Sequence, residues 1–172
     1  MKACRFLIPI LLLVSCNAPR SFIDYDERAE FSSITSYSFF PELRSGLSEL
    51  DQERLLRSLE AGLSEEGLVA SPNPDIFVNV YSEEFQEQSG NSLGVGVGGT
   101  GRNVGVGISG GIPLGGPETW LSLTFDIINA ETDELIWQAV VQSKFDRNAS
   151  PEERQVAFDR MVAKALEDFP PK

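Results

Sequence analysis

Apolar and polar residues alternate along five stretches of the chain, and this period of two is typical of β-strands. The predicted strands cover residues 22–26, 34–40, 75–81, 120–128 and 134–145. Each has one apolar face, because successive side chains of a strand point to opposite sides. Turn-forming residues separate the last two strands, so we expect them to pair as an antiparallel hairpin.

Two other stretches repeat their apolar residues every three or four positions, as amphipathic helices do. The first is predicted over residues 48–66, with Ser48 and Asp51 at the spacing of a capping box. Gly67 is expected to end it as a left-handed cap. The second begins at the capping residue Ser150. Its apolar stripe consists of Phe158, Met161, Val162, Ala165, Leu166 and Phe169.

The order of these elements predicts an α+β fold in a single domain, residues 22–172. We expect an antiparallel sheet with the two helices on one face, a two-layer sandwich, because each helix must bury its stripe against the sheet. A glycine-rich stretch interrupts the strands in the middle of the chain. We expect it to form a hairpin that projects from the domain.

The first fifteen residues have the pattern of a signal peptide. Lys2 and Arg5 precede an apolar run over residues 6–14, which is shorter than the roughly 20 residues that span a bilayer. Residues 13–16 read Leu-Val-Ser-Cys and resemble the bacterial lipoprotein box. The resemblance implies cleavage before Cys16, a thioether-linked diacylglycerol on that cysteine, and usually a third acyl chain on its new amino group.

Such an anchor predicts where the protein resides. Two or three acyl chains hold a protein durably at a membrane, since each buried methylene contributes about 0.8 kcal/mol. Residues 16–21 would then be the lipidated cysteine and a short tether. Asn17 stands where an aspartate would suggest retention in the inner membrane in enterobacterial-type sorting. We therefore expect a lipid-anchored protein on the periplasmic face of the outer membrane.

Charge and composition restrict the chemistry. The chain has 14 basic and 26 acidic residues, and its net charge of −12 becomes −14 when Lys2 and Arg5 leave with the signal peptide. No basic, aromatic-rich stretch marks a nucleic-acid surface, so no nucleic acid partner is expected. The chain contains no histidine, the commonest general base and zinc ligand. We predict no catalytic residue and no cofactor.

The glycine-rich stretch contains one tempting motif. Residues 94–99 fit G-x-G-x-x-G, but a dinucleotide fold needs a helix after these glycines. Residues 104–108 instead alternate glycine with Val or Ile, so we reject nucleotide binding. We interpret residues 93–111 as a hairpin with one bare face, an arm that contacts a partner or lipid. The expected contact residues are Val95, Val97, Arg102, Val104, Val106 and Ile108.

Two groups of carboxylates could supply oxygen ligands to calcium. They are Asp24, Asp26, Glu27 and Glu30, and further on Glu83, Glu84 and Glu87. A calcium loop needs its acids on a tight turn with a pivotal glycine, and neither group has one. We interpret both as solvated charge and predict no metal site. Carboxylates paired for hydrolysis are recognised by their separation in space, so that chemistry stays open.

Short motifs occur in a fixed order along the domain. They are Asp24, Tyr25, Asp26, Ala29, Phe31, Thr35, Tyr37, Pro41, residues 66–68, 75–78, 123–126 and 135–137, Lys164, Ala165 and residues 169–171. Together they resemble a family of bacterial lipoproteins called domain of unknown function 4136. The resemblance covers nearly all of residues 22–172 and implies a fold and an envelope location, without a known activity.

Three functions from different classes fit these observations. The first is a non-catalytic envelope lipoprotein, a binding or structural module whose partner is an envelope protein or an envelope polymer. The second is a carboxylate-dependent hydrolase of the envelope. The third is an oligomeric membrane-contacting protein that uses the glycine-rich hairpin, although a transmembrane strand needs about 9–11 residues and each arm has about five of clear pattern. The anchor, the short tether and the missing catalytic residue types favour the first.

Overall fold

The structure is a computed structural model that describes residues 18–88, 92–94, 111–113 and 116–171. A short 3-10 turn, Phe31–Ser33, accompanies the strands and helices. In chain order these are β1 (Arg20–Tyr25), β2 (Ser36–Phe39), α1 (Glu49–Glu65), β3 (Val69–Ala70), β4 (Ile76–Gln88), β5 (Ser92–Gly94), β6 (Gly111–Pro113), β7 (Pro117–Asn129), β8 (Leu135–Lys144) and α2 (Pro151–Leu166).

The six-stranded sheet is open and mixed, in the order β1-β8-β7-β4-β2-β3. The α+β class is therefore confirmed, but the expectation of an entirely antiparallel sheet is wrong at β2. This strand runs parallel to both β3 and β4, whereas the other pairs are antiparallel. The reason is the connection: α1 follows β2 and carries the chain back to the end of the sheet where β2 began, as parallel pairing requires.

Both helices begin where the local sequence predicts and α1 also ends there, whereas α2 ends at Leu166 and leaves Phe169, the last residue of the predicted stripe, beyond the helix. The Ser48 hydroxyl accepts a hydrogen bond from the Asp51 amide at 3.3 Å, which caps α1. Gly67 adopts a φ of +88°, and the amide of Leu68 donates to the Leu63 carbonyl at 3.0 Å, so this turn closes the helix. At the start of α2, Ser150 and Glu153 form the complete capping box.

The core lies between the sheet and the helices, which pack on one face of it as expected. Gly62 of α1 allows the two helices to approach, since a Cβ there would lie 2.8 Å from Cδ1 of Leu166. The fully buried side chains with the largest volumes come from both layers. They are Trp137, Phe125, Phe158, Leu55, Leu59, Leu63, Ile76, Leu121, Leu123, Ile127, Met161 and Val78.

The sheet has two distinct ends. At the end that we call the hairpin end, β1 starts at Arg20, β8 finishes at Lys144, and β4 and β7 meet at the pair Gln88 and Pro117. Residues 89–116 leave from this end, and their described parts, β5 and β6, pair antiparallel as a hairpin requires. The opposite end, called the cleft end, carries the turn between β7 and β8.

Three strands are longer than the apolar pattern predicted, and one of them is β7, which covers Pro117–Asn129 instead of residues 120–128. Strand β1 begins at Arg20, so the tether after Cys16 is shorter than residues 16–21 suggested. Strand β4 continues past Tyr81 to Gln88, where polar side chains occupy both faces and period-two alternation is lost. Pairing with β7, which reaches Pro117, keeps this half of β4 extended. The ladder between β4 and β7 is therefore the longest in the described sheet.

Candidate functional site

The face of the sheet opposite the helices carries exposed aromatic side chains. Phe22, Val140, Thr124 and Tyr81 are neighbours across β1, β8, β7 and β4. Phe22 is 62 % exposed and Tyr81 is 40 % exposed, although both lie on strands of the main sheet. We call this row and the stacked group beside it the open face. Exposed aromatic side chains of this kind are enriched in protein interfaces.

The stacked group lies towards the hairpin end. The rings of Phe85 and Trp120 are stacked with centroids 6.4 Å apart and planes inclined at 21°. The Arg20 guanidinium lies 4.6 Å from the centroid of the Trp120 ring, within the range of a cation–π contact. Phe85 is 37 % exposed, whereas Trp120 is buried beneath its two neighbours. The exposed ring of Phe85 is therefore part of a packed cluster with Trp120 and Arg20.

The cations around the stacked group are paired. Arg20 lies 3.8 Å from a Glu87 oxygen, and Nζ of Lys144 lies 2.6 Å from Glu118. Nearby, Arg147 pairs with Glu84. These side chains are largely exposed, so each pair contributes little to stability. The three pairs neutralise Glu84, Glu87 and Glu118, whereas Glu83 of β4 and Asp146 have no ion-pair partner among the described residues.

A cleft of about 650 Å³ opens at the cleft end of the sheet. Its walls come from the segment after β1, the residues before β4 and the turn between β7 and β8. Six side chains of the lining are charged, and five of them are carboxylates. These groups are Asp26, Glu30, Asp75, Glu131, Glu134 and Arg28. The cleft therefore gives this end of the molecule a negative surface.

Asp75 is fixed in the cleft by the chain that enters β2. One of its carboxylate oxygens accepts four hydrogen bonds of 2.8 to 3.0 Å, from the amides and hydroxyls of Thr35 and Ser36. These donors, first the Thr35 amide and then the Ser36 hydroxyl, hold the pKa of Asp75 below its ordinary value. The carboxylate therefore stays ionised at neutral pH and ties the start of β2 to the start of β4.

Asp26 is held by a residue two positions along the chain. Its carboxylate accepts hydrogen bonds from the Arg28 side chain at 2.9 and 3.0 Å and from the Arg28 amide at 2.9 Å. The Arg28 side chain lowers the pKa of Asp26, and the carboxylate in turn raises the pKa of Arg28. A general acid for neutral pH needs a raised pKa. The pKa values of Asp26 and Asp75 are instead both lowered, so neither carboxyl group suits that role.

A third carboxylate, Asp51, has a structural task that the sequence did not reveal. It is buried and accepts hydrogen bonds from Arg54 at 2.8 Å and from Arg154 of α2 at 2.5 Å. Arg154 also donates to the carbonyl of Arg147 and lies over the Phe145 ring. The Asp51–Arg154 ion pair thus joins α1 to α2, and the other contacts of Arg154 join α2 to the residues that follow β8. Only the capping position of Asp51 could be recognised from the sequence.

The structure tests some of the predicted site residues and not others. Cys16 lies outside the described residues, and so do all six residues of the expected contact arm, Val95, Val97, Arg102, Val104, Val106 and Ile108. Of the acidic groups, Asp26 and Glu30 line the cleft, whereas Glu84 and Glu87 pair with arginines. In residues 18–88 and 116–171, no three carboxylates lie close enough together to hold a metal ion. Tyr25, one of the residues that match the family, is 44 % exposed.

Comparison with solved structures finds distant similarity in fold. A PDZ domain protein from Parabacteroides distasonis is 14 % identical with a TM-score of 0.47, and the match covers 91 % of this chain and 37 % of that one. The chain thus spans little more than a third of that protein. The PelC dodecamer from Paraburkholderia phytofirmans is 12 % identical with a TM-score of 0.47, over 86 % of this chain and 95 % of that one. A variant of the same PelC gives a TM-score of 0.42.

Two further results concern membranes and family. Neither described helix is long and apolar enough to cross a bilayer. No curated protein matches the chain. The family described as domain of unknown function DUF4136, in contrast, matches residues 21–171, which is the whole folded domain and confirms the resemblance noted in the sequence. The chain therefore belongs to the DUF4136 family.

Proposed function

We propose that this protein is a lipid-anchored component of the bacterial cell envelope, and that its domain is a non-catalytic binding module on the periplasmic face of the outer membrane. One observation carries the proposal. The lipoprotein box ends at Cys16, and strand β1 begins at Arg20, four residues later. An anchor placed so close to a folded sheet would hold the domain against the membrane.

Two carboxylates of the cleft are poorly suited to act as the general acid of a hydrolase. A hydrolase that works with two carboxylates needs one of them protonated near neutral pH, which requires a raised pKa. Asp26 and Asp75 instead have lowered pKa values, because the Arg28 side chain and the donors of Thr35 and Ser36 stabilise their charged forms. Both serve as fixed anionic acceptors, which suits recognition and structural support.

The open face is the surface that we assign to partner binding. Phe22 and Tyr81 stand on rigid strands, so a partner would bury their rings at little cost in conformational entropy. Between them lie Val140, which is half-buried, and Thr124, which is buried, so the two rings are the exposed positions of the row. We propose an envelope protein or an envelope polymer as the partner that covers this row.

The anchor is tested by replacing the lipidated cysteine. Cys16→Ser should abolish incorporation of a fatty-acid analogue and move the protein out of the membrane fraction. Cys4→Ser is the matched control, since Cys4 lies within the signal peptide and its loss should leave processing unchanged. A Cys16→Ser protein that is still processed and membrane-bound would refute the assignment.

The binding surface is tested by crosslinking in intact cells. The double variant Phe22→Ser, Tyr81→Ser should recover less crosslinked partner than the wild type. Leu50→Ser, Val156→Ser is the control, because these side chains are 63 % and 45 % exposed on the helices. Equal recovery from both variants would mean that the partner binds elsewhere.

A further inference from the structure

The open face carries polar side chains on both sides of the row that contains Phe22 and Tyr81, which we call the aromatic row. Residues two positions away on each strand point to the same face, because side chains alternate along a strand. Towards the cleft end these residues form the cleft-side row, which consists of Asp24, Gln138, Asp126 and Asn79. Towards the hairpin end they form the hairpin-side row, which consists of Arg20, Gln142, Ser122 and Glu83. The aromatic row therefore lies between two polar rows.

Several charged members of these rows are weakly paired within one chain. Asp24 and Glu83 are exposed, and neither has an ion-pair partner among the residues that the structure describes. Arg20 lies 3.8 Å from Glu87, and the two side chains are 57 % and 43 % exposed, so this pair contributes little to stability. These groups can therefore form new pairs with another molecule at little cost.

The two polar rows are complementary to each other. When a second copy faces the first and is related to it by a half-turn about the aromatic row, the hairpin-side row of each copy lies over the cleft-side row of the other, strand by strand. The pairs are then Arg20 with Asp24, Gln142 with Gln138, Ser122 with Asp126 and Glu83 with Asn79. Each pair brings a hydrogen-bond donor to an acceptor, none joins like charges, and the symmetry makes every pair twice. Phe22 and Tyr81 lie on the axis and meet their own counterparts.

The anchor selects this axis over one that runs along the strands. Two copies anchored in one membrane need a twofold axis perpendicular to the bilayer, because both lipids lie on the same side. An axis along the strands would point one end of the sheet at the lipid. Beyond the row of Arg20, β4 extends five residues to Gln88 at one end, and β1 extends five residues to Tyr25 at the other. Either distance is about 17 Å, whereas the four residues from Cys16 to Arg20 span at most about 14 Å, so the sheet would enter the bilayer.

An axis along the aromatic row, across the strands, avoids this conflict. Strand β1 is the outermost strand of the sheet, and among the described residues only β8 pairs with it. With the axis perpendicular to the bilayer, the β1 edges of both copies face the membrane. Each tether then starts at this edge, so four residues suffice to join Arg20 to an anchored Cys16.

We propose that the open face binds a second copy of this chain, in a twofold symmetric dimer whose axis runs along the aromatic row and whose β1 edges face the membrane. The dimer deepens the proposed function, since it identifies the envelope partner of the open face as the same protein. The choice of axis rests on the proposed anchor at Cys16. The helices of both copies lie on the outside, as layers that cover two packed sheets.

Disulfide trapping in intact cells tests the axis directly. A cysteine on the axis meets its own counterpart, so Phe22→Cys and Tyr81→Cys should each form a disulfide-linked dimer on a non-reducing gel. Val156→Cys is the matched control, because this side chain is 45 % exposed on α2, away from the interface, and should stay monomeric. Once Cys16 is lipidated, the introduced cysteine is the only free thiol, since Cys4 leaves with the signal peptide.

Charge reversal tests the pairing of the two polar rows. In a chain that carries Phe22→Cys, Arg20→Asp would face the partner's Asp24, and Asp24→Arg would face the partner's Arg20. Each reversal should lower the disulfide-linked fraction several-fold, since like charges across an interface are unfavourable. The double variant, Arg20→Asp with Asp24→Arg, restores opposite charges and should recover the dimer. A double variant that traps no better than the single ones would overturn the pairing.

The outcomes separate the dimer from the anchor. Absence of a trapped dimer from Phe22→Cys and Tyr81→Cys, or equal trapping of Val156→Cys, would overturn the dimer. Trapping that needs co-expression of the Phe22→Cys and Tyr81→Cys chains would overturn the axis. If Cys16 carries no lipid, the proposed function fails, and the same variants in a Cys16→Ser chain still test whether the open face binds a second copy.

Discussion

At the scale of single residues, carboxylates with similar side chains have very different tasks. Asp75 accepts four hydrogen bonds at the surface, and Asp51 is buried between two arginines. Neither task is visible in the sequence, because the partners of Asp75 lie about forty residues earlier and Arg154 lies about a hundred residues after Asp51. The capping residues Ser48 and Ser150 were predictable, since their partners are three positions away.

The lowered pKa of Asp75 predicts how stability depends on pH. A carboxyl group with a depressed pKa in the folded state stabilises the fold above its unfolded pKa, and this contribution is lost as the pH falls through the folded pKa. The free energy of unfolding should therefore decrease as the pH drops below about 3.8, the ordinary value. Carbon-13 NMR of the Asp75 carboxyl should show a pKa that rises in Ser36→Ala. An unchanged pKa in that variant would contradict the assigned cause.

The buried ion pairs of Asp51 predict a large effect of its removal. Asp51→Ala would leave Arg54 and Arg154 facing each other in a site where their side chains are only 14 % and 21 % exposed. Breaking a buried pair in this way costs about 3 kcal/mol, which chemical denaturation can measure. Glu49→Ala, an exposed residue of the same first turn, is the control and should change stability by less than about 0.5 kcal/mol. Similar losses in both variants would show that the ion pairs contribute nothing.

At the scale of elements, periodicity identified both helices and all the long strands. It could not give the direction of β2, because Tyr37 and Phe39 have the same pattern in a parallel or an antiparallel strand. Direction follows from α1, which lies between β2 and β4 and returns the chain across the sheet. Periodicity also missed the outer half of β4, where Glu83 and Glu84 remove the contrast between the faces.

The docking of α2 can be tested at paired positions. Phe158 is fully buried against the sheet, so Phe158→Asp would place an unpartnered charge in the core and destabilise the domain by about 3 kcal/mol or more. Leu166→Asp, near the end of the same stripe, should behave similarly. Glu152→Ala, on the exposed side, should change the free energy of unfolding by less than about 0.5 kcal/mol. Equal effects on the two sides would show that the helix is not docked on the sheet.

At the scale of the whole molecule, the fold places two different surfaces at opposite ends of one sheet. The hairpin end receives the chain from Cys16 at Arg20 and gives rise to residues 89–116. The cleft end carries carboxylates that hydrogen bonds keep ionised. The family resemblance could be recognised in the sequence, and the lipid anchor stays a prediction from it. The polarity of the sheet depends on which strand ends lie together, and that required the sheet order.

The account depends most directly on the chemical state of Cys16. Mass spectrometry of the mature protein after trypsin digestion should find an N-terminal peptide that begins at Cys16 and ends at Arg20, with the mass of a diacylglyceryl group and one further acyl chain added. A peptide that runs from residue 6 to residue 20 and carries a free thiol would contradict it. That result would remove the anchor on which the proposed function is built.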